Sequence, residues 1–277
     1  MCGIAAFYSK RKGNGNIKKY VIGSVVLLEA LGEDSAGVYN GTEGLITRRV
    51  GRPREIIRLL RRQEFRGLAL VHTRAATKGS PHKLCNSHPF YTKEWVGVHN
   101  GWLWNDDELA KKYKLKRAGQ TDSEIIWRLA DSLDIDQAIK KIDGFFRCFG
   151  LHIPTKTLHI FGNTTIYFGH NSEVYCFTNS ETLLKRLGLT KIRDIRAEHR
   201  IYQLDRGKLK LIKQKDLSKK AISLYDDIYD DWWVRNNCGI TKIINKGIEK
   251  EGKSHFLTSS AYLNFGKYDL NIKGVKG

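Results

Sequence analysis

The residue that follows the initiator methionine is Cys2. Initiator methionine is removed when the second residue is small, and its removal here would put a thiol and a free α-amine on one residue. Such an amine titrates at roughly 7.7–8.0, so it can accept a proton near neutral pH. A thiol with its own base is a self-contained nucleophile. Read alone, Cys2 is equally well a small buried residue. Further along lie His72-Thr73-Arg74-Ala75-Ala76-Thr77-Lys78-Gly79, then Asn86-Ser87-His88-Pro89-Phe90, Val98-His99-Asn100-Gly101 and Thr121-Asp122-Ser123-Glu124. Each has a plain structural reading too. Asn100-Gly101 suits a hairpin turn, Arg74 suits a structural ion pair, and Asp122 suits the first turn of a helix for dipole reasons. His72, His88 and His99 read first as structural residues.

The elements that must position these groups can be read from periodicity. Apolar Cys2–Tyr8 opens the chain, and Ile17–Leu31 has helical spacing. The stretches 38–39 and 45–50 flank a turn at Asn40–Gly44, and Arg54–Arg62 reads as a short helix. Leu68–Thr73 and Trp95–His99 read as buried strands, each followed by a polar loop. Thr121 and Glu124 have capping-box spacing ahead of the helical run Ile125, Ile126, Leu129, Ala130 and Leu133. Further strands are predicted at Phe145–Ile153, Thr157–Phe161, Val174–Thr178, Ile201–Leu204 and Lys208–Ile212. Strands and helices without strict alternation point to a layered α+β sandwich.

Taken in order, Cys2-Gly3-Ile4, Asp34-Ser35-Ala36-Gly37, His72-Thr73-Arg74, Asn86-Ser87-His88-Pro89-Phe90, His99-Asn100-Gly101 and Thr121-Asp122-Ser123-Glu124 resemble the class II glutamine amidotransferases, a group of N-terminal-nucleophile hydrolases. The resemblance covers about residues 2–212. It implies a four-layer αββα sandwich. It also implies that Cys2 attacks the glutamine δ-carbonyl, that the Asn100 side-chain amide and the Gly101 N–H hold the oxyanion, and that ammonia leaves a γ-glutamyl thioester. By the same resemblance Arg74 holds the substrate carboxylate, as its planar fork of donors suits, Asp122 holds the ammonium, and Thr77 and His88 complete the pocket wall. No cofactor and no metal is implied. Two positions depart from the family pattern. Leu31-Gly32 stands where Arg-Gly is common, and Ala75 stands where Trp is common. The same motifs also look like an amidohydrolase branch that cleaves γ-glutamyl bonds of small metabolites.

The 277 residues carry 48 basic and 29 acidic side chains, a formal net charge of +19. The family's full-length members append a synthase domain of several hundred residues. Here about 65 residues follow Ile212. The expected organisation is a glutamine amidotransferase domain at 2–213 and a C-terminal extension of unknown role at 214–277. The chain is then expected either to pass ammonia to a separate synthase subunit or to act alone. Eight arginines fall within the 19 residues Arg48–Arg66, so an acidic partner or a polyanion is a further candidate partner. A non-catalytic basic adaptor is the rival reading from another class. Scattered cysteines, odd in number and without zinc-ligand spacing, suit a reducing cytoplasm. The apolar stretch Val21–Leu31 is too short to span a bilayer and holds Ser24 and Glu29, so no membrane partner is expected.

Overall fold

The computed structural model describes residues 2–11, 15–196, 200–205 and 208–214, the last two stretches as backbone only. The extension at 215–277, with its acidic-aromatic segment around Tyr225–Trp233, lies outside the described residues. Two antiparallel sheets stack face to face. The first has seven strands in the order β11-β9-β10-β1-β4-β2-β3. These are Thr190–Arg196, Thr165–His170, Val174–Thr178, Gly3–Ser9, Leu68–Arg74, Ser35–Asn40 and Leu45–Val50. The second has six strands in the order β13-β12-β8-β7-β6-β5. These are Lys208–Gln214, Arg200–Asp205, Thr157–Gly162, Gly144–His152, Trp95–Leu103 and Phe90–Tyr91.

Alternation along the strands explains the layering, because successive side chains point to opposite faces. On β1, Ala5 and Phe7 pack towards helix α1 (Lys18–Leu28), with Tyr20, Val21, Val25 and Leu28. Ile4 and Ala6 face the second sheet and meet Val96, Val98, Phe149 and Leu151. On the outer face of the second sheet, Phe146, Cys148 and Phe161 pack on helices α3 (Asp106–Lys112), α4 (Ser123–Leu133) and α5 (Ile135–Lys141). Three apolar layers between four structural layers give the αββα sandwich that the resemblance implied. A two-part helical segment at Pro53–Leu60 (a 3-10 turn, then α2 from Ile57) and α6 (Glu181–Arg186) complete it on the α1 side.

Two local expectations need correction. The strand read as Trp95–His99 runs on to Leu103, so Asn100-Gly101 is not a turn. It lies inside β6, with Asn100 opposite Arg147 and Gly101 opposite Phe146. The partner strand is long enough to carry pairing through the Asn-Gly dipeptide. The capping box is also absent. Asp122 is the N-cap of α4 and accepts from Ser123 N, while Glu124 accepts from the N–H groups of Ala118 and Gly119 and from Arg128. The Thr121 hydroxyl is buried without a partner. Strands β9 and β11 and helices α3, α5 and α6 come in addition to the elements read from sequence. No described helix is long and apolar enough to cross a membrane.

Candidate active site

The site is built where β1 begins, beside the end of β4 and the middle of β6. Asn179, just after β10, clamps the start of β1. Its Oδ1 accepts from Ile4 N at 3.0 Å and its Nδ2 donates to Cys2 O at 2.8 Å. The Cys2 Sγ then rests 3.4 Å from both the backbone N and O of Ala75. Burial pushes the thiol pKa up, while the amino terminus, the Ala75 N–H and Arg74 pull it back. Nothing in the sequence motifs singled out Asn179. Its only signal is that it ends the strand next to β1.

Arg74 ends β4 and is buried. Its guanidinium donates to the carbonyls of Lys78 (2.9 Å), Gly79 (3.1 Å) and Ser80 (3.1 Å), so the loop after β4 curls around it. Asp34 fixes the root of this loop by accepting from Ala76 N at 2.7 Å. Gly32 lies close by, and a Cβ there would sit 2.5 Å from the Arg74 carbonyl carbon. The loop's other side is pinned to α3. Lys78 bridges Asp106 (2.6 Å) and Asp107 (2.9 Å), and Arg117 pairs with both. Thr77 sits exposed on this loop.

Asp122 uses both oxygens locally, accepting from Leu103 N and Ser123 N, each at 2.9 Å. This is the structural role its position suggested; Oδ1 also accepts from the Ser123 hydroxyl at 3.3 Å, and Oδ2 keeps a second lone pair for a ligand. Asn100 has its Oδ1 occupied by Arg147 Nη1 at 2.6 Å and by Asn179 Nδ2 at 3.4 Å. Gly101 has φ +149°, and a Cβ there would run into the carbonyl oxygen of Phe145. Only glycine fits both the conformation and the space.

The three motif histidines form a buried group behind these residues. His72 Nε2 lies 3.1 Å from His99 O, and His99 Nδ1 lies 2.8 Å from Ser123 Oγ. His88 stacks on His72 at 3.8 Å. Burial lowers their pKa values, to about 3 for His72, to about 4 for His99, and well below 6.5 for His88. They are neutral near pH 7, which suits support rather than proton shuttling. His88 lies beneath the loop cluster, buried and packed on His72 and Phe90.

The structure therefore brings Cys2, Arg74, Asn100, Gly101 and Asp122 to one end of the sandwich, and leaves Thr77 at its rim. The arginine stretch behaves differently. Arg48 donates to Ser87 O, and Arg49, Arg54 and Arg66 pair with Glu55, Glu29 and Glu64. Arg52, Arg58, Arg61 and Arg62 are exposed.

No family model matches the chain. Among curated proteins it is 28% identical over 237 residues to the glutamine–fructose-6-phosphate aminotransferase (isomerizing) of Buchnera aphidicola subsp. Acyrthosiphon pisum, covering 79% of this chain and 36% of that protein. The chain spans well under half the length of the curated relatives it matches first. Among solved structures it superposes on the glutamine phosphoribosylpyrophosphate amidotransferase of B. subtilis, with a TM-score of 0.64 and 16% identity, over 76% of this chain and 49% of that one. It also superposes on a glutamine aminotransferase class-II domain protein of Silicibacter pomeroyi, with a TM-score of 0.50 and 14% identity, over 77% of this chain and 99% of that one. The fold is that of the N-terminal-nucleophile hydrolases. The chain is related to the class II glutamine amidotransferases.

Proposed function

We propose that the chain is a glutaminase that hydrolyses glutamine to glutamate and ammonia through Cys2, and that it supplies the ammonia to a separate synthase. The observation that carries this reading is the convergence at the start of β1. The Cys2 thiol lies against the backbone beside Arg74, and Asn179 ties Cys2 to Asn100.

After Met1 is removed, the α-amine of Cys2 takes the thiol proton as the sulfur attacks the amide carbon. A C–S bond forms and the carbonyl electrons move to oxygen. Donors aimed at that oxygen, the Asn100 Nδ2 and the Gly101 N–H, stabilise it. Collapse breaks the C–N bond, and the α-ammonium returns its proton to the departing ammonia. Water then cleaves the thioester to glutamate. Arg74 and Asp122 bind the carboxylate and ammonium of the substrate, with Thr77 at the rim of the pocket and His88 supporting its wall from behind. The glutaminase unit is assigned to residues 2–213 and the remainder to an extension of unassigned role. The described cysteines all carry free thiols, which supports a reducing compartment such as the cytoplasm.

The test starts with mass spectrometry of the N-terminus, where Met1 is expected to be absent. Glutamate release from glutamine is then followed, together with alkylation of Cys2 by 6-diazo-5-oxo-norleucine. Cys2→Ala is expected to abolish turnover, a loss of at least about 10³-fold. Full activity of Cys2→Ala rejects the mechanism. Cleavage of γ-glutamyl peptides with no turnover of glutamine reassigns the chain to a γ-glutamyl amidohydrolase.

A further inference from the structure

Arginine 147 is the least expected residue in the interior. Along β7 the side chains of Phe149 and Leu151 face the other sheet and join the apolar layer there. Arg147 has the same parity, so a guanidinium enters that layer, 8% exposed. A buried cation is costly unless it is well paired. Its partners are specific. Nε donates to Thr165 O on β9 of the opposite sheet at 2.6 Å, and Nη1 donates to Asn100 Oδ1 at 2.6 Å. Asn100 is also its cross-strand neighbour in register.

A primary amide can be turned over about its last torsion, presenting either oxygen or nitrogen to a given side. For Asn100 the choice is forced. Its oxygen faces two donors, Arg147 Nη1 and Asn179 Nδ2. Turning the amide would set its NH2 against a cation that has no acceptor lone pair. The NH2 is thereby held as the outward donor. A cationic partner on the amide oxygen also draws electron density from the N–H bonds and makes them better donors.

We propose that Arg147 is a positioning residue for the oxyanion site. It locks the Asn100 amide with its nitrogen facing the reacting carbonyl and strengthens that donor through the amide. This rests on the glutaminase reading above and assigns Arg147 no contact with substrate. Its effect belongs to the transition state, when the carbonyl oxygen becomes charged, and not to ground-state glutamine binding.

The experiment compares the wild-type protein with Arg147→Met and Arg147→Lys, each first shown to be folded by its thermal transition. Three quantities are read: kcat and KM for glutamine, inhibition by glutamate γ-semialdehyde, and the rate of Cys2 alkylation by iodoacetamide. The aldehyde adds the Cys2 thiol across its C=O, which places an oxygen where the oxyanion forms. For Arg147→Met, kcat is expected to fall about 10–100-fold, below the full cost of deleting an oxyanion donor. KM should stay within about twofold, aldehyde inhibition should weaken in step with kcat, and alkylation should stay within about twofold. Arg147→Lys should restore part of kcat. The proposal is overturned by an unchanged kcat, by a rise in KM alone, or by alkylation falling as far as kcat. It is also overturned if neither variant folds while Asn100→Asp, which removes the NH2 donor, keeps wild-type kcat. Wild-type protein that neither turns over glutamine nor is labelled by 6-diazo-5-oxo-norleucine removes the glutaminase reading itself, and this inference with it.

Discussion

The space between the two sheets has two chemically different ends, and the same strands supply both. Passing away from the site, the inward positions read Cys2, Ile4, Ala6 and Tyr8 on β1. They read Asn100, Val98 and Val96 on β6, and Arg147, Phe149 and Leu151 on β7. At the Cys2 end, Cys2, Asn100 and Arg147 each take a hydrogen-bond partner from another strand or loop. At the far end, Tyr8, Tyr39, Leu68, Leu151 and Ile153 line an open pocket of about 310 Å³ together with Thr42, Arg66 and Lys156. The apolar stretch holds the sheets together by burial, which is tolerant of detail. The polar end depends on oriented hydrogen bonds, each of which can be lost by one substitution. The difference separates the part of the interlayer held by apolar burial from the part that carries the candidate site.

Acid should expose this difference most strongly. His72, His88 and His99 are buried behind the polar end with pKa values below the ordinary 6.5. A histidine depressed in the folded state binds no proton there when the unfolded chain does. Stability is therefore intact above pH 6.5 and declines as pH falls below it, with the His99 contribution levelling off near pH 4 and that of His72 near pH 3. Linkage puts the loss on the order of 1–2 kcal/mol by pH 5 for each of His72 and His99, and His88 acts in the same direction. His159, lowered to about 4 by burial, adds to it away from Cys2. Urea midpoints at pH 7 and pH 5 measure the decline, and equal midpoints would show that the three rings are not buried as neutral groups.

Next in size is Gly101→Ala. The added Cβ meets Phe145 O in a backbone conformation alien to L side chains, so roughly 3 kcal/mol of stability should go. Glutamine turnover should fall with it even well below the melting temperature, because the Gly101 N–H moves. Retained turnover would break the assignment of that N–H to the oxyanion. Smaller again is Leu151→Ala at the apolar end. Truncating this buried leucine should cost about 2 kcal/mol, at the low end for its type because it already borders an open pocket. Here kcat/KM should stay within about twofold of wild type. A fall in kcat/KM without loss of stability would mean that the two ends are coupled.

Much of this was legible before any coordinates. The motif order identified the family resemblance and the layered α+β class, and Cys2, Arg74, Asn100, Gly101 and Asp122 do come together. The strand read as Leu68–Thr73 was clear because the apolar run Leu68–Val71 suits a strand buried on both faces. Other features were not legible, for reasons that lie in pairing. Asn100-Gly101 has the composition of a turn, yet it is strand because β7 pairs across it. Thr121 and Glu124 have capping spacing, but Glu124 is taken by the 118–119 backbone and by Arg128.

By itself, the sequence determined the candidate nucleophile, the order of the motifs and the alternation that sorts side chains into layers. These are properties of residue type and local spacing. Tertiary structure alone decided that Asn179 clamps Cys2 and that Arg147 orients Asn100. It also decided that three histidines stay neutral and that four of the eight clustered arginines are engaged by a carbonyl or by carboxylates, although seven of the eight are exposed. Each of these depends on which strands become neighbours. Hydrogen bonds and desolvation act over a few ångströms in space, between residues as far apart in the chain as Cys2 and Asn179.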